Sequence, residues 1–376
     1  MKKQIVLAAG LAVLAAPAFA SKARLAALGE STNGSFYIND NRNIFLNASE
    51  VLNHKDLVTY EWGAAQQTDS DGSSNAEGGI FRAHGNMVYG VQFGRVLEFN
   101  DNADDIADLA GAAAGDVLQA TNALDLFVGG DAGIKWGVQL TYASAKDDTF
   151  TTSGADDEEA KSDVMDLRVG VSQGQWAAYL AYGITGKAET DALDAEVTRK
   201  SPFEVGGSWK WDAYTAFAQY SSSKYDVEVG ANDESAEYSS MQLGVGRQDK
   251  LNDKATLFTK VSYVSSKTDE EDVGGTDSKT KALPVVVGLE YDAASWLALR
   301  GSITQNVIIG ETETDGDKNT TQNSTDINTG ASLKFGDLTV DGLIGTSGNN
   351  GTAGGGENGV LATDRLMTRV SMTYRF

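Results

Sequence analysis

The side chains that could make or break bonds are few. The chain has two histidines, His54 and His84, and no cysteine in 376 residues. A thiol nucleophile and a thiolate metal site are therefore impossible. Neither histidine stands at a metal-ligand spacing from another donor, and no Gly-x-Ser-x-Gly elbow or phosphate-cradling glycine loop occurs. His84, beside a predicted short turn, reads as a rim residue rather than a general base. The expectation is a protein that is not an enzyme and holds no cofactor.

What the sequence offers instead is charge carried on alternating segments. Glu61, Arg82, Lys135, Arg168, Lys260, Arg300, Lys334, Asp341, Arg365 and Arg369 all sit among apolar neighbours with period two. On the lipid face of a membrane strand, an Arg or Lys at mid-depth costs about 2–4 kcal/mol. The set therefore reads as pore-lining, with Arg168, Lys260, Arg300 and Arg369 nearest mid-height. For any one of them, the competing reading is a wall charge paired with a neighbouring carboxylate. A second set, Asp101, Asp104, Asp105, Asp108 and Asp116, lies in Asn100–Ala123, which reads as one short helix or two. Folded inward, these carboxylates would face the basic wall and set up a transverse field favouring polar solutes. Folded outward, they form an ordinary exposed loop.

Positioning these charges requires a sheet with two unlike faces. In the last eleven residues, Leu366, Val370, Met372, Tyr374 and Phe376 alternate with Met367, Arg369, Ser371, Thr373 and Arg375. Successive side chains of a strand point to opposite faces, so one face is greasy and the other wet. The same pattern recurs around Trp136, Leu289, Leu299 and Ile327, in runs of about 9–12 residues, the tilted span of a hydrocarbon layer. Very short connections (Gln173–Gln175, Trp211–Ala213, Gly336–Asp337) alternate with long ones (Lys146–Ser162, Ala188–Thr198, Val227–Ala236, Thr268–Lys279, Gly310–Asn323, Ser347–Ala362). Counting the runs predicts an all-β antiparallel transmembrane barrel of about 16 strands, with 14 or 18 as alternatives. It would carry short periplasmic turns and long acidic extracellular loops. An even number closes the ring and leaves no unpaired edge in lipid. Aromatic residues near the run ends, among them Tyr60, Trp62, Trp209, Tyr291, Tyr374 and Phe376, read as the two interfacial girdles.

Residues 1–20 read as a cleaved export signal: Lys2 and Lys3, an apolar run Ile5–Ala16, Pro17, then Ala18-Phe19-Ala20. Residues 57–376 form the barrel. Residues 21–56 show only weak alternation and are expected to fill part of the lumen or lie at the periplasmic mouth. The formal charge of −23, or −25 without Lys2 and Lys3, leaves no electrostatic reason to bind nucleic acid. Acidic loops such as Asp156-Asp157-Glu158-Glu159 and Asp269-Glu270-Glu271-Asp272 would concentrate cations and could hold divalent cations weakly. Phe127, Tyr179 and Phe217 are candidates to face inward.

The export signal, the repeated amphipathic strands, the alternating loop lengths and the terminal Tyr374-Arg375-Phe376 resemble the Gram-negative outer-membrane porins over about residues 57–376. In that family the terminal aromatic marks the chain for the barrel-assembly machinery, a role the resemblance assigns to Tyr374 and Phe376. It implies an outer-membrane channel for passive diffusion of small hydrophilic solutes and ions. It also implies a homotrimer, contact with outer-membrane lipid and lipopolysaccharide, and one inward-folded constriction loop. In the family that loop follows the fifth strand; here the best candidate, Asn100–Ala123, follows the third. A substrate-specific channel and a mainly structural or adhesive barrel are the other readings.

Overall fold

The computed structural model describes residues 21–376 except 64–75, 98, 100–116, 152–157, 192–193, 231, 272–276, 315, 321–324 and 348–365. Residues 1–20, read as an export signal, lie outside the described residues.

The strand segments are β1 (Leu57–Trp62), β2 (Glu77–His84), β3 (Met87–Phe93), β4 (Leu124–Asp131), β5 (Lys135–Phe150), β6 (Glu158–Gln173), β7 (Trp176–Thr190), β8 (Ala195–Trp211) and β9 (Tyr214–Val229). They continue as β10 (Asn232–Lys250), β11 (Ala255–Glu271), β12 (Ser278–Ala294), β13 (Leu297–Thr314), β14 (Asp317–Thr320), β15 (Thr325–Phe335), β16 (Leu338–Ser347) and β17 (Leu366–Arg375). Neighbours pair antiparallel, and β1 closes the ring on β17 with Leu57 opposite Arg375. Both β14 and β15 pair with β13, so they are two lengths of one stave. The result is a closed barrel of 16 staves.

The faces are sorted opposite to those of a water-soluble protein. Tyr60, Ile80, Leu126, Leu180, Val245 and Leu299 are exposed on the outer face, while Thr59, Gln92, Asp125, Gln139, Arg300 and Asp341 are buried on the inner one. Exposed apolar side chains in this number are stable only against lipid. Closure satisfies the backbone groups that lipid cannot. The chain is thus a multi-pass barrel of the outer-membrane type.

At one rim the hairpins are minimal: Gln173 pairs with Trp176, Trp211 with Tyr214 and Phe335 with Leu338. Gly174 and Gly336 take positive φ at the first turn position, which the twist of a two-residue hairpin demands. At the other rim the strands run on well past the membrane. β5 reaches Phe150 and β6 begins at Glu158; β9 runs to Val229 and β10 begins at Asn232. Most of what reads in sequence as the loops 146–162, 188–198, 227–236, 268–279 and 310–323 is therefore paired strand. Above the bilayer the outer face meets water and turns polar while apolar side chains turn to the inner face, so the greasy-outside alternation ends although the ladder continues.

Residues 21–54 lie inside the ring as a plug. Helix α1 (Lys22–Ala27) packs on β13, β15, β16 and β17. Two 3-10 turns, Asn41–Phe45 and Ala48–Leu52, follow. The second packs on β3, β4, β5 and β6. Each element has a side-chain cap: Ser21 accepts from the Arg24 amide, Asp40 from Arg42 and Asn47 from Ser49. The wall makes room with glycine. A methyl group on Gly137 would strike the Ala48 carbonyl, on Gly170 the Asn47 side chain and on Gly246 the Tyr37 ring.

Candidate functional site

The lumen is where the inward charges converge, and most of them hold the plug. Arg42 donates from Nη1 to Glu61 at 3.1 Å and to Glu77 at 2.5 Å, and from Nε to the Thr32 carbonyl at 2.8 Å. Lys22 pairs with Glu77, and its amide donates to Glu61 at 3.3 Å. Across the barrel, Arg24 joins Asp40 at 3.1 Å to Glu290 at 2.9 Å. Glu290 also accepts from Arg300, whose Nη1 reaches Asp341 at 2.8 Å. Lys260 pairs with Glu30 at 2.5 Å. The plug thus carries cations to a wall acid pair on one side and meets a mixed chain of charges on the other. Buried charges are tolerable only when matched this closely.

Apolar contacts fill the spaces between. Ile44, Phe45 and Val51 of the plug pack with Leu57, Phe81 and Phe127 of the wall. Leu25, Leu28 and Ile38 pack with Phe258, and Ala23 and Ala27 with Leu343. His54 is buried at the edge of this region. Its ring nitrogens find no hydrogen-bond partner among the described residues, and burial pushes the imidazole down to about 3.

The side facing β6–β10 is built differently. Arg168 donates to Glu204 at 2.8 Å and to the plug carbonyl of Leu46 at 3.0 Å, and its guanidinium lies 5.1 Å from the centre of the Tyr179 ring. Gln219 donates to the other oxygen of Glu204 at 3.1 Å. Phe36 of the plug stacks on Phe217, with centroids 4.7 Å apart, and more loosely on Tyr179. Three cavities follow one another along this wall. One of about 380 Å³ opens at the short-turn rim beside Phe36, Glu50, Lys135 and Lys210. One of about 60 Å³ lies between Phe36, Leu46, Asn47 and Tyr179. One of about 290 Å³ lies above, lined by Phe45, Arg168, Arg199, Glu204, Ser221 and Tyr225 among others. The Arg168–Glu204 pair lines the last of these.

The β3–β4 connection enters the upper lumen at both of its ends. Leu97 and Phe99 on one side, and Val117, Ala120 and Ala123 on the other, are buried against Ala143, Val164, Val197, Tyr225 and Val227 of the wall. Asp101, Asp104, Asp105, Asp108 and Asp116 lie outside the described residues.

Glu61, Lys135, Arg168, Lys260, Arg300, Lys334, Asp341 and Arg369 are on strand positions that face inward. Most do not stand free in water. Glu61, Arg168 and Lys260 bond the plug directly, and Arg300 and Asp341 do so through Glu290. Lys135 reaches Asn53 of the plug at 2.6 Å, and Lys334 reaches Asp292 at 2.9 Å. Arg82 is a correction. Glu77, Gly79 and Phe81 are the buried face of β2, so Arg82 shares the outer face with Ile80. It sits at the short-turn rim over the Phe376 ring, 5.5 Å from its centre, where a long cation reaches the headgroups cheaply. Arg365 lies outside the described residues. Tyr374 and Phe376 are exposed on the outer rim with rings 6.4 Å apart, and the Phe376 amide donates to the Asp56 carbonyl. Phe127, Tyr179 and Phe217 do face inward and are buried. What sequence reasoning missed was the plug's own set: Lys22, Arg24, Glu30, Phe36 and Arg42. Their one signal is charge and aromatic content in a segment without strand periodicity.

Among the described residues, no three His, Asp or Glu side chains converge as metal ligands. No protein-family model matches the sequence, and no curated protein matches it. Solved structures of similar shape include OmpT, an outer membrane protein of Vibrio cholerae, at 14% identity and a TM-score of 0.38 over 85% of this chain and 97% of that one. The Pseudomonas putida toluene transporter TodX is similar at 11% identity and a TM-score of 0.38, covering 92% of this chain and 95% of that one. BauA, the ferric preacinetobactin receptor from Acinetobacter baumannii, is similar at 12% identity and a TM-score of 0.44 over 78% of this chain and 54% of that one. Likeness at this level says nothing of activity.

Proposed function

We propose that this barrel is an outer-membrane channel for small hydrophilic solutes, narrowed from within by residues 21–54, and that it is not an enzyme. The observation that carries the reading is the succession of three cavities along β6–β10. One opens at the short-turn rim, one lies at plug level and one lies above it, and all have polar linings. Elsewhere the plug meets the wall through buried ion pairs and packed apolar side chains, a seat rather than a passage. The middle cavity, about 60 Å³, holds only about two waters, so passage of a solute requires local movement of the plug. The acidic extracellular rim favours cations weakly. Cleavage of residues 1–20, recognition of Tyr374 and Phe376 during assembly, and a homotrimer in lipopolysaccharide belong to the same reading.

Phe36, Tyr179 and Phe217 together with Arg168–Glu204 favour a second version, a channel selective for one class of solute. Solute uptake into liposomes carrying the purified protein tests the channel. Uptake of small sugars and amino acids well above that of empty liposomes is expected, and rates equal to those of empty liposomes would leave only a structural barrel.

A further inference from the structure

The Tyr179 and Phe217 rings lie flat against the inner wall because the wall beneath them has no side chains. A methyl group on Gly206 would come within 2.6 Å of the Tyr179 ring, and one on Gly244 would strike the Phe217 ring. Flat rings on a wall make a platform, and a platform gains energy only when something flat covers it. Here the cover is Phe36, parallel to Phe217 within 7° at 4.7 Å and inclined at 29° to Tyr179 at 6.4 Å.

Phe36 is not held as Tyr37 and Phe45 are, both of which are buried. Phe45, although it borders the upper cavity, is buried and fixed edge-on to Phe127 with Arg42 and Arg95 over its ring. Phe36 is only partly buried and borders both the 380 Å³ and the 60 Å³ cavities. Its ring has room to swing aside while the backbone around it stays tied by Ser35 to Asn43 and by Asn43 to Ile38. Along one edge of the platform run Arg168, Glu204 and Gln219, mutually bonded and only partly buried. They offer donors and acceptors of balanced charge.

We propose that the Tyr179–Phe217 platform is a binding site for a ring-shaped solute with an apolar face and a hydroxyl-bearing edge, the chemistry of a pyranose sugar, and that Phe36 occupies it in the solute's absence. The C–H face of such a ring replaces Phe36 on the platform, and its hydroxyls bond to Arg168, Glu204 and Gln219. A purely aromatic solute would stack but leave that polar edge unmatched. An ion would have to compete with a pair already formed. The inference rests on the channel reading for the route by which solute arrives.

Equilibrium dialysis of the full-length protein in detergent tests it, with D-glucose, benzyl alcohol and glycine as probes. Saturable glucose binding is expected, at least tenfold tighter than that of the other two. Phe36→Ala removes the internal competitor and should tighten glucose binding about tenfold, equivalent to about 1.4 kcal/mol, the upper range for one ring stack. Tyr179→Ala with Phe217→Ala should abolish it. Retained resistance to heat in detergent identifies the variants that fold. The proposal is overturned if a folded Phe36→Ala protein binds glucose no more tightly than wild type, or if benzyl alcohol binds as tightly as glucose. Glucose binding without any uptake into liposomes would remove the channel reading and leave the site; uptake without binding would remove the site alone.

Discussion

The plug meets the barrel in two ways. Against β1 and β2, and again against β12, β13 and β16, the contact is buried charge on charge, Arg42 with Glu61 and Glu77 and Arg24 with Glu290. A cavity of only about 10 Å³ remains beside Arg42 and His54. Against β6–β10 there is no buried ion pair across the seam among the described residues; the contact is a ring stack, neutral hydrogen bonds from Asn47 and Ser49 to the wall, the Arg168 bond to the Leu46 carbonyl, and three cavities. Fully desolvated ion pairs are costly to separate, whereas a partly wet ring stack is cheap to open. The contrast implies a plug pinned on one flank and able to yield on the other, so solute traffic belongs to the β6–β10 side.

Breaking the pinned flank should have the largest effect. Arg42→Met leaves Glu61 and Glu77 in a buried site with Lys22 as their one remaining cation, and a loss of about 3–5 kcal/mol is expected. Limited proteolysis should then cut within residues 21–54, which stay protected in the parent protein. A mid-sized effect is expected from the wall seat. Gly170→Val pushes a side chain into Asn47 and should cost about 1–3 kcal/mol by thermal unfolding, whereas Gly342→Val, with nothing within 4 Å of the added Cβ, should not disturb the plug.

Acid should act on the same flank through His54. Its folded value of about 3 lies below the ordinary 6.5, so the unfolded chain binds the extra proton between those values. The contribution is complete above pH 6.5 and is lost as pH falls toward 3, by about 1.4 kcal/mol per pH unit within that window. Thermal unfolding from pH 7 to pH 4 should show this slope, and His54→Phe should flatten it. The smallest effect is expected at Arg82. Arg82→Gln removes a rim cation from the outer face and should change stability by less than about 0.5 kcal/mol, with ion selectivity unaltered. A selectivity change there would place Arg82 in the lumen after all.

The barrel was legible because a membrane sheet writes its two faces into every second residue. Val370–Phe376 and Ile134–Tyr142 carry that alternation without interruption, and both lie as the pattern requires. Legibility failed where the physical cause of alternation is absent. Strand ends such as Ser235–Ala236 and Thr268–Glu270 have no greasy outer face and read as loop although paired. The plug has no period because it is folded against a curved wall from many directions. Its partners are remote in sequence: Arg24 and Glu290 are 266 residues apart. Inward charges were readable as inward, but not as occupied. One signal was only partly used: Phe81, Phe258 and Leu343 join Phe127 and Phe217 as apolar side chains on the inner face, which an open aqueous pore would not favour.

The most direct test compares single-channel conductance of the intact protein with that of a form lacking residues 22–54, both in planar bilayers at 1 M salt, where loop charges are screened. A small conductance in the intact protein, rising severalfold when the plug is removed, is the expected result. Equal conductance of the two forms would contradict a lumen narrowed by residues 21–54.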